Sequence, residues 1–431
     1  MSSTNSLSVV RQAYSINSAL FLAGTSAAQG SVFVAGMVLA NILGHVGYGD
    51  YMLTYTTVVT LSQMAQLGIG YMISRYLAEY RHSAPERARS LLSTLYKVAL
   101  GLGGSATLFL LMGADVVARD SFLRPELGGS IRFASFAVWF AAVNGFLLGA
   151  LAGLQRYQHI ALSLAVGGIS YLALTTLLAA WSGQTGAIAG FVAAQGIQNL
   201  ALTFSVVDVL RKHHVPINPS DRKANAALVV RFGIPGALSG FTALPALWLG
   251  NMLMARQPTG SHDVAVYNAA YSVAALVLFL PNVLNSVGMT LLNTYRGLGD
   301  RDSYRRLFLM NLAFTLAVTL LGIVAVGTLG HAILSLYGPE FALGYPVLVV
   351  LVAAVLPEAL TISMNQVIQS KEKMWAALIG VNIPRDMLIA TTCLILIPDY
   401  GAMGMAYAYL AGRLLAACTT TALTWRLGLR L

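Results

Sequence analysis

Apolar residues run along this chain in long blocks, and polar residues gather in the short gaps between them or at Gly- and Pro-bearing turns. A helix needs about 20 mostly apolar residues to cross the hydrocarbon of a bilayer. On that measure the chain divides into twelve stretches, near residues 17–42, 50–74, 92–117, 132–154, 159–181, 185–209, 229–255, 264–294, 306–329, 344–369, 374–397 and 401–425. The eighth is longer than a bilayer is thick, so it must tilt or bend, and Pro281 is the place for a bend. The pattern predicts an all-α polytopic membrane protein of twelve transmembrane helices.

The two halves echo one another. Tyr51 and Tyr55, opening the second stretch, match Tyr267 and Tyr271 opening the eighth at an offset of 216, and Arg156 and Gly186 match Lys371 and Gly401 at an offset of 215. Six stretches per half is an even number, so both halves enter from the same side, and parallel repeats of this kind are a transporter signature. The predicted organisation is an N-terminal six-helix lobe over 1–210, a basic cytoplasmic linker over 211–226 and a C-terminal six-helix lobe over 227–431. The expected substrate path lies between the lobes.

Composition agrees with a lipid solvent. Charged residues make up 10% of the chain, against about 25% in soluble domains, while 57% of residues are hydrophobic and the mean hydropathy is +0.71. Sorting the 26 Lys and Arg residues by loop puts 20 on one side and 4 on the other, with Arg385 and Arg413 inside stretches. Because Lys and Arg collect in cytoplasmic loops, this expects both termini in the cytoplasm. The net charge of +10 is then topogenic. It is spread over many short loops with no stacking platform, which argues against a nucleic-acid partner. The N-terminal MSSTNSLSVVRQAY does not have the pattern of a cleaved signal peptide. Cys393 and Cys418 lie in apolar runs and are expected to be packing residues, not a disulfide or metal pair.

Four segments carry a family resemblance: LGHVGYGDYMLTYTTVVTLSQMAQLGIGYMISRYLAEYR, FLLGALAGLQRYQHIAL, VVRFGIPGALSG and IPDYGAMGMAYA. In order and spacing they resemble the polysaccharide-transporter, O-antigen flippase-type branch of the multidrug/oligosaccharidyl-lipid/polysaccharide exporter superfamily. Gln66 stands where that family commonly has an acidic residue, and charges inside the last two stretches are unusual for it. The resemblance implies two six-helix lobes around a central cavity opening alternately to either leaflet. It also implies a bacterial inner-membrane location, with a polyprenyl-diphosphate-linked oligosaccharide, membrane lipids and other polysaccharide-assembly proteins as partners.

Ionisable residues inside membrane helices are costly and functional by default. Glu358, Arg385, Asp386 and Arg413 are predicted near the bilayer centre, in one lobe, with formal charges that cancel. They are read as a network that locks three helices, as a proton- or sodium-coupling site at Glu358 or Asp386, or as pyrophosphate contacts from Arg385 or Arg413. Asp386 with Arg413 is the pairing to test. No resident cofactor is expected. Amides at similar depth, Gln29, Gln66, Asn144, Gln195 and Asn199, are candidates to bond sugar hydroxyls, as are Trp248, Asn251, Asn282 and Asn285, or else they tie helices together. Arg75, Arg156 and Arg296, at the inner ends of stretches two, four and eight, are candidates to meet a diphosphate, against a topogenic role.

A multidrug or cation antiporter of the same superfamily is the nearest rival reading, and an acidic, largely apolar cavity would distinguish it. A major-facilitator transporter would carry a Gly/Asp/Arg-rich loop that RYLAEYRHSAPERARS lacks. A membrane polymerase or ligase of polysaccharide assembly would need a sizeable outer loop with an acid/base cluster, and the sequence offers none. No enzyme is expected.

Overall fold

The computed structural model describes residues 3–66, 68–212, 243–297, 300–371 and 373–426; among them there is no strand. The helices are α1 (Ser3–Gln66), α2 (Ile69–Ser83), α3 (Pro85–Val116), α4 (Gly128–Gly153), α5 (Tyr157–Lys212), α6 (Ala243–Ala255), α7 (Gly260–Gly297), α8 (Arg301–Ser335), α9 (Tyr345–Ser370), α10 (Met374–Ala377) and α11 (Ile383–Arg426). Eight helical stretches among the described residues are long and apolar enough to cross a membrane, where twelve were expected. Three of them run 53 to 61 residues, more than twice a bilayer's need. Each of the three contains a break in helical geometry: at Gly44, at Ser182 and Gly183, and at Gly401. The expected seventh stretch is described only from Ala243. Most of the expected linker, with Arg222 and Lys223, lies outside the described residues.

The breaks refine the repeat. Gly183 (φ 59°, ψ −137°) and Gly401 (φ 51°, ψ −126°) share a conformation open to glycine and strained for other residues. They are 218 positions apart, so Gly183, not Gly186, is the counterpart of Gly401. Gly186 then pairs with Gly404, and a Cβ at either would strike a carbonyl eight residues earlier, that of Leu178 or Leu396. The tyrosine match holds in three dimensions as well: Tyr51 and Tyr55 stack at 5.9 Å and 22°, Tyr267 and Tyr271 at 6.1 Å and 20°.

The chain forms two compact units. Unit 1 comprises Met1–Ile42, Thr57–Arg119 and Arg124–Gly240; unit 2 comprises Leu43–Thr56, Asp120–Leu123 and Phe241–Leu431. Unit 1 packs Leu91 and Leu95 of α3 against Ile73 of α2, Ala150 and Leu151 of α4 and Leu202 of α5. Two short segments from the first half of the chain belong to unit 2, and polar as well as aromatic contacts hold them there. Ser261 donates to the buried Asp50, His45 meets Glu340, and Tyr48 packs edge-on against Tyr337 and Phe341. Arg256 donates to the carbonyls of Asp120 and Ser121, and Phe122 lies 5.9 Å from Trp248.

Candidate functional site

Within unit 2, α9 and α11 meet through a cluster of three polar side chains. Glu358 lies one residue after Pro357, on the face of α9 that buries Leu351, Val355 and Ala359. Tyr409 and Arg413 are four residues apart on α11, which places them on one face. Arg413 Nη2 donates to Glu358 Oε1 at 2.8 Å and to the Tyr409 hydroxyl at 2.8 Å. Tyr409 in turn donates to Glu358 Oε2 at 2.7 Å. The guanidinium carbon sits 4.7 Å over the Tyr409 ring, and Tyr271 of α7 meets that ring edge-on at 5.6 Å. Side-chain exposure is 14% for Arg413 and 12% for Glu358. A carboxylate this sheltered is tolerated because both oxygens are bonded and the counter-charge is in contact.

The pairing differs from the one singled out for testing. Asp386 is held by its neighbour: Arg385 donates from Nε to Oδ1 at 2.6 Å and from Nη2 to Oδ2 at 2.8 Å, with both side chains buried. The four charges therefore form two self-contained pairs, Arg385 with Asp386 and Glu358 with Arg413. Adjacent residues can make a two-pronged contact because the guanidinium fork matches a carboxylate, so Asp386 needs no partner from another helix.

The amide candidates separate by environment. Asn144 of α4 donates to Gln195 Oε1 of α5 at 3.2 Å and accepts from Asn199 at 3.0 Å. Asn251 accepts from Asn268 at 2.8 Å, joining α6 to α7. Asn285 donates to the Pro281 carbonyl at 2.8 Å and accepts from Asn311 of α8 at 3.2 Å and from Gln366 of α9. Gln66 lies over Gly145 of α4, where a Cβ would collide with its amide. Gln29 and Asn282, by contrast, are exposed on apolar helices, Asn282 donating to the Leu278 carbonyl of its own helix at 2.9 Å. Trp248 packs on Phe122. Among the basic candidates, Arg75 is exposed and lies 5.8 Å from the Tyr76 ring centroid. Arg156 is half-buried in the turn between α4 and α5, and the side chain of Arg296 lies outside the described residues.

Sequence reasoning missed Tyr409, Asn268, Asn311 and Gln366. Tyr409 could have been found from its four-residue spacing to Arg413, which the helical period puts on one face. The described residues hold no group of His, Cys, Asp and Glu side chains suited to a metal ion.

Comparison with known proteins follows the same line. Residues 16–292 match the family described as polysaccharide biosynthesis protein. The chain is 23% identical to the EPS I polysaccharide export inner membrane protein EpsE of Ralstonia solanacearum, covering 76% of this chain and 73% of that one. It is 23% identical to the lipid III flippase of Escherichia coli, covering 92% and 95%. Among solved structures, an inward-facing multidrug-resistance MATE-family transporter of the MOP superfamily superposes with a TM-score of 0.80 at 16% identity, over 92% of this chain and 94% of that one. A MOP-superfamily transporter from Pyrococcus furiosus superposes at 0.72 and 16% identity, over 95% and 94%. The match spans well over half the chain and the fold agrees along nearly all of it: the protein belongs to the polysaccharide biosynthesis protein family, and it has the fold of the MOP-superfamily transporters.

Proposed function

We propose that this protein is a flippase of the bacterial inner membrane that moves a polyprenyl-diphosphate-linked oligosaccharide from the inner to the outer leaflet by alternating access. The observation that carries the reading is the family match together with near full-length similarity to a relative named as a lipid III flippase. In this reading twelve helices form two six-helix lobes, the long stretches being divided at Gly44, Gly183 and Gly401. The exposed amides Gln29 and Asn282 support a wet path, since an amide on a membrane helix is poorly served by lipid. Glu358 is the coupling residue, for a proton or a sodium ion. A carboxylate bonded to a cation and a phenol can change both its protonation and its partners as the surrounding helices move. Asp386, locked to its neighbour, is the less suited of the two carboxylates.

The test is depletion of the protein, with lipid-linked oligosaccharides then labelled separately on the two leaflets. Accumulation of one species on the cytoplasmic side is expected; an unchanged distribution overturns the reading. A multidrug or cation antiporter is the second reading, favoured by the TM-score of 0.80 to a MATE-family transporter. It would show itself as drug sensitivity on depletion with no displaced lipid-linked sugar.

A further inference from the structure

Unit 1 contains a second three-residue joint built to the plan of the ionic one. Asn144 on α4 contacts Gln195 and Asn199, four residues apart on α5. Glu358 on α9 contacts Tyr409 and Arg413, four residues apart on α11. All three correspondences, 144 to 358, 195 to 409 and 199 to 413, span the same 214 positions. In each joint the single residue on the first helix bonds both residues on the second, accepting from the later one.

The joints sit at different depths. Asn199 lies 16 residues after its turn glycine, Gly183, whereas Arg413 lies 12 after Gly401; Asn144 lies 9 residues before Gly153, the last of α4, whereas Glu358 lies 12 before Ser370, the last of α9. Both helices of the pair have thus moved the joint by three or four residues in the same direction. That is one helical turn, which returns a side chain to the same face. A shift of another size would have rotated the partners apart.

We propose that these are two versions of one device: a fixed amide joint in unit 1 and an ion-switched joint in unit 2, with Tyr409 as the positioning residue that holds Glu358 toward Arg413. The inference rests on the coupling role given to Glu358 above. Amides neither gain nor lose a proton in the physiological range, so the unit 1 joint keeps one bonding pattern. When Glu358 takes up a proton, its attraction to Arg413 falls and one acceptor oxygen becomes a donor. Tyr409, which donates to Glu358 Oε2, then has to accept from that oxygen or give up the bond when the proton sits there. Two further polar atoms nearby are buried without a hydrogen-bond partner, Arg413 Nε and the Tyr267 hydroxyl, so the joint holds unused bonding capacity for a second arrangement. The titratable groups facing Glu358 are Arg413 and Tyr409 of α11 and Tyr267 and Tyr271 of α7, with Cys393 of α11 beside Tyr267.

The test exchanges the joints. One variant combines Glu358→Asn, Tyr409→Gln and Arg413→Asn; the reciprocal combines Asn144→Glu, Gln195→Tyr and Asn199→Arg; Glu358→Asn alone and Tyr409→Phe complete the set. Each full-length protein is purified, melted in detergent, and reconstituted with lipid-linked oligosaccharide to measure transport across a pH series. Both triple variants are expected to melt within about 4 °C of the parent, and Glu358→Asn alone about 10 °C lower because it strands Arg413. The unit 2 triple is expected to lose the pH-dependent part of transport, and Tyr409→Phe, which leaves one Glu358 oxygen without its donor, to melt slightly lower while shifting the pH midpoint. If both triples unfold, the joints are not equivalent and the proposal fails. If the unit 2 triple keeps the parent's pH dependence, the switch is overturned, and an unshifted profile for Tyr409→Phe overturns its positioning role. A parent protein that moves no lipid-linked oligosaccharide, or moves it at a rate indifferent to pH, defeats the functional or coupling reading, while the melting comparison still decides whether the joints are equivalent.

Discussion

Glu358 and Arg413 owe their tolerance in an apolar helix pair to each other, and the consequence is measurable one residue at a time. Glu358→Gln or Arg413→Gln leaves the remaining ion sheltered and unpaired, a loss of about 3 to 5 kcal/mol, whereas the double variant should lose much less. Thermal unfolding of the four proteins in detergent checks this; a double variant that loses the sum of the two single losses would refute the pairing. Asp386 and Arg413 have different partners, so Asp386→Asn and Arg413→Gln should add when combined, with no compensation. A smaller effect is expected at Asp300, which caps α8 by accepting from the Ser303 amide at 3.0 Å. The hydrogen bonds from the Ser303 side chain and backbone hold its carboxyl below the usual carboxylate range. A folded-state value below the unfolded one means that the cap's contribution is present above the unfolded value and is lost as pH falls through the folded one. Hydrogen exchange at the Ser303 amide should accordingly quicken in Asp300→Ala at neutral pH, and in the parent only under acid.

Along the helices, each of the three breaks includes a glycine in a backbone conformation that strains other residues. Gly401→Ala would impose a strained φ/ψ, about 1 to 3 kcal/mol, and would also push a Cβ to 2.5 Å from Asp263 Oδ2. A lower melting temperature and reduced yield are expected. Gly101→Ala in α3, where an added Cβ meets nothing within 4 Å, serves as the control and should cost nothing. Should the two substitutions behave alike, the break at Gly401 is not a conformational requirement. The same logic explains why helix boundaries read from hydropathy fell close to the breaks: polar and Gly-rich gaps mark the ends of lipid-compatible runs, and the chain has to turn there.

For the whole molecule, the one-sided distribution of Lys and Arg predicts that a C-terminal reporter works in the cytoplasm and not outside it; activity only outside would overturn the orientation. Replacing Cys393 and Cys418 by Ala should preserve transport, since Cys393 is buried against Met405 and Cys418 is exposed on the same helix. The membrane class of this protein was legible in the sequence because transfer into lipid depends on the length and composition of contiguous stretches, which are local properties. The charged candidates were legible for the same reason: an ion in an apolar run stands out wherever it folds. Their pairing was not. Whether Arg413 meets Asp386 or Glu358 depends on the rotation and depth of helices whose contacting residues lie dozens of positions apart, and a shift of one residue on a helix turns a side chain by about 100°. Tyr409 stayed hidden because tyrosine is common in such helices and acquires its role only from the two ions it touches. Tertiary structure alone also separated the paired amides Asn144, Gln195, Asn199 and Asn285 from the exposed Gln29 and Asn282, and assigned Leu43–Thr56 to unit 2, since each outcome rests on contacts between residues that composition and period leave independent.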